Sequence, residues 1–521
     1  MTIPLPPRDG TGAPPLEAER PARWQVVAPP PAPEFDAGEA PGVVHVVAEY
    51  APYSRTGGLC EAVAGLATEQ AAAGVPTSVI TPLHRSVHRV AEELVPVGRP
   101  FPVEVGPRVE WARLVRIPAS PRAPRVFFIE HEGYFNRPGP YGAGGQDYSD
   151  NGFRFAFFAQ AALAAVPRIT NAPVIVHAHD WHAALVPVYL RTRFAGHPFY
   201  DRVRTVLTIH NAAFQGWFPE ELLHVVGLPA WLYDWRLMEW YGRANFLKGG
   251  MAFADFVTTV SPRHAQELVT PEGGFGLHDA FRALGDRLVG IVNGLDMRLW
   301  DPATDPELTA NFSANDLSGK RRCKAALQRT FGLAQRYNAP LIGMAARLVS
   351  QKGLDLVIDN PALFHEGAQF VFTGRGEARY EAALTAIASH SHQRVAVRLG
   401  FSDRMARRIM AGVDIFLVPS LYEPCGLTQM SAQRYGALPV GRRVGGLADT
   451  IEDGQTGFLF DDYAPAALAD AVRTAVDTYR TPARWAWLVE HAIERDFSWT
   501  RPAAEYAAVY RRVQAAAAAG R

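Results

Sequence analysis

Cysteine is scarce in this 521-residue chain: Cys60, Cys323 and Cys425 lie far apart, with no CxxC pair. That scarcity argues against a disulfide framework and a thiolate zinc site, and fits a reducing compartment. Long apolar runs are missing as well. The best candidate, Phe155 to Val166, falls short of the roughly 18 residues needed to cross a bilayer and is interrupted by Gln160. The chain does not open on a basic start followed by an apolar run, so a cytoplasmic location is expected, without export or membrane. A charge excess is the third absence. Lysine plus arginine and aspartate plus glutamate both total 52, which leaves no global field to attract nucleic acid or an anionic membrane.

What is present is the composition of an ordinary folded chain, with 48% hydrophobic and 20% charged residues. Its length suggests two to four domains at about 150 residues each. Residues 1–42 hold 11 of the 41 prolines without sustained periodicity, so a disordered tail is expected there. Beyond it, apolar runs alternate with helical patterns. Val43 to Ala48 reads as a strand, Leu59 to Ala73 as a helix and Thr77 to Thr81 as the next strand. The alternation returns at Val174 to His177 and Val203 to Ile209. A second series runs through Leu341–Ala346, Phe370–Thr373, Val395–Leu399, Asp414–Pro419 and Leu438–Val440. Two such arrays predict an α/β protein of two doubly wound Rossmann-like domains, 43–300 and 339–485. A linker spans 301–338 and a terminal helical segment spans 486–521. Ligands of such sheets bind beyond the carboxyl ends of the strands, which directs attention to the loops that follow them.

Five loops stand out. Arg55-Thr56-Gly57-Gly58-Leu59 enters a helix, where glycines admit close backbone approach and the free N–H groups favour an anion; the plainer reading is a tight turn with a solvated arginine. In His177-Ala178-His179-Asp180-Trp181-His182, strand alternation places His177 and His179 on one face. Three readings stay open here: a metal-hydrolase site with His182 as a further ligand, a sugar contact by His182, or structural histidines. Arg347 and Lys352, five residues apart ahead of a helix, can neutralise a diphosphate leaving group, or can be two ordinary surface cations. Glu423, in Glu423-Pro424-Cys425-Gly426-Leu427-Thr428-Gln429, can grip sugar hydroxyls or serve as a helix cap. Cys425 lacks a visible base and reads as a small buried residue rather than a nucleophile. Gly445-Gly446-Leu447 is another glycine turn suited to phosphate, or simply a turn. The sequence contains no DxD pair, which disfavours a metal-bridged diphosphate.

Taken in order, RTGGL, HAHDWHA, TIHNAAFQG, TVSP, GIVNGLD, ARLVSQKGLDL, RIMAGVDIFLVPS, EPCGLTQM and GGLADT give a chain that resembles the bacterial glycogen synthase and plant starch synthase family from about Val43 to Tyr510. The resemblance implies a GT-B fold, ADP-glucose as donor and the non-reducing end of an α-1,4-glucan, glycogen or maltooligosaccharide, as acceptor. It also implies retention of configuration and no metal or other cofactor. By position, Arg347 and Lys352 would stabilise the leaving phosphate, and His182 and Glu423 would contact the glucose. Asp150 would be a further cleft carboxylate. Arg55 stands where the family has a lysine on the donor diphosphate. Gly57, Gly58, Cys425, Gly426, Leu427, Thr428, Gly445 and Gly446 would complete the donor side. Val444 replaces a usual threonine. Phe497-Ser498-Trp499, Tyr506 and Tyr510 resemble a closing helix that returns to the first domain. A related transferase using UDP-glucose or another acceptor, a metal-dependent hydrolase on HAHDWH and a non-catalytic glucan binder are the competing readings.

Overall fold

The computed structural model describes residues 42–519 apart from 173, 366 and 401, so the proline-rich stretch, except for Gly42, lies outside the described residues. Seven parallel strands carry the first domain: β1 (Gly42–Val46), β2 (Thr77–Pro82), β3 (Arg125–Glu130), β4 (Val174–His179), β5 (Arg204–Ile209), β6 (Phe256–Thr259) and β7 (Leu288–Gly290). They lie in the order 7-6-5-4-1-2-3. Every residue of β1, β2 and β4 is buried, because helices cover both faces; this is why these strands read as continuous apolar runs rather than as alternating ones. Beyond β3 the sheet turns antiparallel: Arg108–Arg116 pairs with β3, and Phe101–Val105 and Val95–Pro96 pair with that strand.

The second domain repeats the plan with β8 (Leu341–Ala345), β9 (Gln369–Gly374), β10 (Val395–Leu399), β11 (Ile415–Val418), β12 (Leu438–Arg442) and β13 (Phe458–Phe460) in the order 10-9-8-11-12-13. Each sheet therefore has one point where strand order reverses, β1/β4 in the first and β8/β11 in the second. A crevice opens beyond the carboxyl ends of the strands at such a point.

Helix α1 (Gly58–Ala72) follows β1, and α2 (Asn151–Ile169), buried over most of its length, supports the first sheet. The expected linker is corrected by α3 (Ser318–Thr330). Its Lys324 forms a buried ion pair with Asp414 at 2.6 Å, and Lys320 Nζ donates to the carbonyls of Ala411, Val413 and Tyr435. Residues 318–330 thus belong to the second domain. The return to the first domain also begins later than 486. Helix α4 (Pro482–Glu494) buries Leu488, Val489, Ala492 and Ile493 in the second-domain core, and the chain crosses only near Phe497, whose carbonyl accepts from Leu295 N at 2.6 Å.

The last helix, α5 (Thr500–Ala519), buries Tyr506, Val509, Tyr510 and Val513 against Val43, Ile175, Val206 and Phe256 of the first sheet. Burying each such side chain contributes about 1.5–3 kcal/mol. The approach is close at Gly65, where a Cβ would lie 1.9 Å from Trp499 Nε1.

Candidate active site

In the second domain the reversal point brings the loop after β8 against the loop after β11. Lys352 Nζ lies 2.6 Å from Glu423 Oε2, which also accepts from Ser420 Oγ at 2.8 Å. Glu423 is only 6% exposed, so its charge is satisfied almost entirely by these two donors. Gly353 permits this approach. It has φ +72°, and a Cβ there would lie 1.9 Å from the carbonyl oxygen of Pro419. The substitution Gly353→Ala must both strain the backbone and push the two loops apart; we expect it to destabilise the protein by more than about 2 kcal/mol in urea unfolding. Arg347 is exposed near the same loops, with Nη2 3.4 Å from Gln351 Oε1. The Cys425 side chain is buried in an apolar seam with Val260, Leu295, Met430 and Phe497 from both domains, and burial pushes its thiol up to about 12, so it is no thiolate nucleophile. Gly426 turns at φ +72°, and Gln429 Nε2 holds the Cys425 and Gly426 carbonyls; Leu427 then caps the short helix beginning at Thr428.

In the first domain, the loop after β1 is wired to the loop after β4. Buried Glu49 accepts from Thr56 N at 2.5 Å and from Thr56 Oγ1 and Tyr141 Oη at 2.7 and 3.1 Å. Tyr141 stacks on the His182 ring with centroids 4.6 Å apart, and Trp181 and Phe155 complete the clamp. His182 is buried, its Nδ1 has no hydrogen-bond partner, and burial holds its pKa well below the usual histidine value. It is a neutral ring with an unspent nitrogen. Asp150 sits in a bidentate pair with Arg137 at 2.7 and 2.6 Å, and this hydrogen bonding holds its carboxyl below the usual range.

The histidine motif divides. Among the described residues, the three whose ligand atoms lie within 4.8 Å of one another are His45, His177 and His179, and His182 is not in that group. All six nitrogens of those rings are engaged. His45 bonds His179 at 3.0 Å and Gln70 at 2.8 Å, His177 bonds Tyr510 at 2.9 Å and Thr208 at 2.5 Å, and His179 bonds His210 at 3.1 Å. This is a buried polar network that ties β1, β4, β5 and α5 together. It does not gather the ligand set that the hydrolase reading required.

The two domains meet through loops at the carboxyl ends of both sheets. Gly58 faces Leu427: a Cβ at position 58 would lie 3.7 Å from Leu427 Cδ1. Nearby, the Phe275 ring lies 5.0 Å from that of Tyr422. Gly57 borders open space. Arg55 does not stand free: its guanidinium pairs with Glu61 on α1 and, at 3.3 Å, with Asp403 of the second domain. The phosphate cradle expected at Gly445-Gly446 is corrected as well. Gly445 N donates to Glu267 Oε1 of the first domain at 2.9 Å and Gly446 N to the Glu423 carbonyl at 3.0 Å, so both amides are spent. These glycines serve close packing, since a Cβ on either would lie about 2 Å from a carbonyl oxygen of Glu423 or Cys425.

Three participants escaped the sequence reading. Glu49 could have been found as a carboxylate just beyond the apolar run of β1. Arg154, fully buried on α2 with Nε and Nη1 unpartnered, could have been found as the cation that opens an otherwise apolar helical stretch. Asp180, at φ +55°, accepts from His210 N at 2.7 Å, and burial pushes its carboxyl up to about 7.

The chain matches two family models, the starch synthase catalytic domain over residues 42–283 and glycosyl transferases group 1 over residues 331–487. It is 45% identical over 476 residues to a glycogen synthase of Anaeromyxobacter dehalogenans strain 2CP-1, covering 90% of this chain and 98% of the relative. It is 41% identical over 477 residues to a glycogen synthase of Syntrophotalea carbinolica, with shares of 90% and 98%. Among solved structures it is similar to the catalytic domain of starch synthase IV from Arabidopsis thaliana bound to ADP and acarbose. The TM-score is 0.83 at 32% identity, covering 92% of this chain and 100% of that one. With its two doubly wound domains meeting at the carboxyl ends of their sheets in the GT-B manner, the chain belongs to the glycogen and starch synthase family of glycosyltransferases.

Proposed function

We propose that this glycosyltransferase moves glucose from ADP-glucose to the non-reducing end of an α-1,4-glucan with retention of configuration, and that Lys352, Arg347, Glu423, His182 and Asp150 line the transfer site. The observation that carries the assignment is the Lys352–Glu423 pair at the β8/β11 reversal point, a buried carboxylate and an amine held at 2.6 Å where a nucleotide-sugar crevice belongs. In the free enzyme Lys352 neutralises Glu423. With donor bound, Lys352 and Arg347 can turn to the diphosphate, whose negative charge grows as the glucosyl bond breaks. Glu423 is then released to stabilise positive charge on the glucosyl ring in an oxocarbenium-like state.

The departing phosphate can take the acceptor's proton on the face it leaves, which gives retention without a side-chain nucleophile and agrees with the protonated thiol of Cys425. Neutral His182, clamped by Tyr141, is suited to bond a sugar hydroxyl. Two side-chain cations supply the counter-charge that other transferases obtain from a metal, so the reading requires none.

Donor choice is tested by initial rates with ADP-glucose and UDP-glucose on maltooligosaccharide, followed by linkage analysis. Faster α-1,4 extension from ADP-glucose is the expected result, and no extension from either donor would refute the assignment. Arg55 offers a finer test. Asp403 competes with a bound diphosphate for its guanidinium, and an exposed pair of this kind contributes about 0.5–1 kcal/mol. Asp403→Asn should therefore lower the donor KM by roughly two- to five-fold at low salt, with little effect at high salt.

A further inference from the structure

Five of the seven exposed aromatic side chains among the described residues fall between positions 214 and 241, in the segment that leaves the carboxyl end of β5. Trp217 is 41% exposed and Tyr241 67%. A patch of this kind on a water-facing surface marks a binding site more often than chance.

The patch is built rather than loose. Trp217–Phe218, Arg243–Asn245 and Glu239–Trp240 form a small antiparallel sheet. The rings of Trp217 and Trp240 lie 4.9 Å apart at 32°, and Tyr241 stands edge-on to Trp240 at 4.9 Å. Their polar atoms are anchored. Trp217 Nε1 donates to Gln215 Oε1 at 3.2 Å, and Trp240 Nε1 donates to the Gly276 carbonyl at 3.1 Å. Buried Gln215 in turn donates through Nε2 to the Phe275 carbonyl at 2.9 Å.

The patch is also continuous with the transfer site. Phe275 contacts Tyr422, the residue before Glu423, and the carbonyl of its neighbour Gly276 accepts from Trp240 Nε1, so a chain of contacts leads from the buried carboxylate through Tyr422 and the Phe275–Gly276 segment to Trp240, Trp217 and Tyr241. We propose that Trp217, Trp240 and Tyr241 form an acceptor track, a platform that holds glucose units of the α-glucan several residues back from the end being extended. The inference rests on the transferase reading given above. A glucose ring presents a C–H face that stacks on an aromatic face while its hydroxyls stay in water, and a rigid row of rings binds such a polymer at low entropic cost.

The test compares acceptors of different length with the full chain. Trp217→Ser should raise the KM for maltoheptaose and glycogen about ten-fold, and Trp217→Phe should restore it to within about two-fold of wild type. Tyr241→Asn, which suits the backbone at φ +48°, should raise it in the same direction. Turnover on maltotriose and the KM for donor should hold, with thermal midpoints near that of wild type. Unchanged glycogen KM in both Trp217→Ser and Tyr241→Asn would overturn the track, as would an equal rise for maltotriose and glycogen. Retardation in a glycogen-containing native gel reads the track without any turnover. If wild type is retarded, Trp217→Ser is not, and no acceptor is extended, the track stands and the transferase reading falls. Loss of a self-associated state in Trp217→Ser by light scattering, with retardation unchanged, would assign the patch to a second copy of the chain and overturn the track.

Discussion

Lys352→Ala should lower turnover by about 10²–10³-fold at saturating donor while changing the donor KM much less, because the ammonium is worth most where charge develops on the departing phosphate. The structure adds a second consequence. Glu423 is 6% exposed, and removing its cation leaves a buried carboxylate with Ser420 as its remaining side-chain donor. Breaking a buried pair in this way can cost about 3 kcal/mol, so the variant should also unfold at lower urea concentration. The two effects separate in a double variant. Lys352→Met with Glu423→Gln should recover most of the stability, since no unpaired charge remains, yet recover no turnover. Unchanged turnover in Lys352→Ala would remove Lys352 from the chemistry, and restored turnover in the double variant would make the pair purely structural.

Acidification below pH 6.5 should destabilise the first domain steeply. Burial is the main cause that lowers the pKa of His45 to about 4 and of His210 to about 3, and it holds His177, His179 and His182 well below the usual value. An unfolded histidine titrates near 6.5, so the unfolded chain binds protons that the folded chain refuses. The sign is that of depressed folded values: the stabilisation is complete above about pH 6.5 and is lost as pH falls toward the folded pKa. Each such histidine contributes up to about 1.4 kcal/mol per pH unit within that window. Asp180, raised to about 7, and Glu49, also raised, act in the opposite direction, but they are two groups against six, since burial lowers His84 to about 4 as well. Urea midpoints at pH 7.5, 6.0 and 5.0 should fall accordingly. Tyr510→Phe should weaken the network further, since it removes a hydroxyl that meets both His177 and Gln70. Urea midpoints independent of pH across this range would contradict the neutral network.

Buried parallel strands were the most legible part of the chain. Runs such as Leu341–Ala346 and Phe370–Thr373 are apolar because helices cover both faces of the sheet, and that cause is written residue by residue. The antiparallel edge at 95–116 was not legible, since its strands carry exposed and charged residues on one side. The glycine turns announced close backbone approach but not its object; only strand order shows that Gly445 and Gly446 pack against the Glu423 loop rather than hold an anion.

Pairings across long separations were out of reach for the same reason. Lys352 and Glu423 are 71 residues apart, and their contact depends on β8 lying beside β11. His45 and His179 are 134 apart, and they meet because β1 lies beside β4. The histidine motif therefore looked like one cluster of three. Its actual neighbours come from other strands, and His182 turns instead toward Tyr141 and Phe155.

Retention without a metal is best tested by following product formation by proton NMR with ADP-glucose and maltooligosaccharide, using enzyme stripped of metal and kept in excess chelator. The expected result is an α-anomeric signal for the newly added glucose from the earliest time points, at a rate the chelator does not change. A β-linked product, or activity that disappears with chelator and returns with a divalent metal, would contradict the proposed transfer.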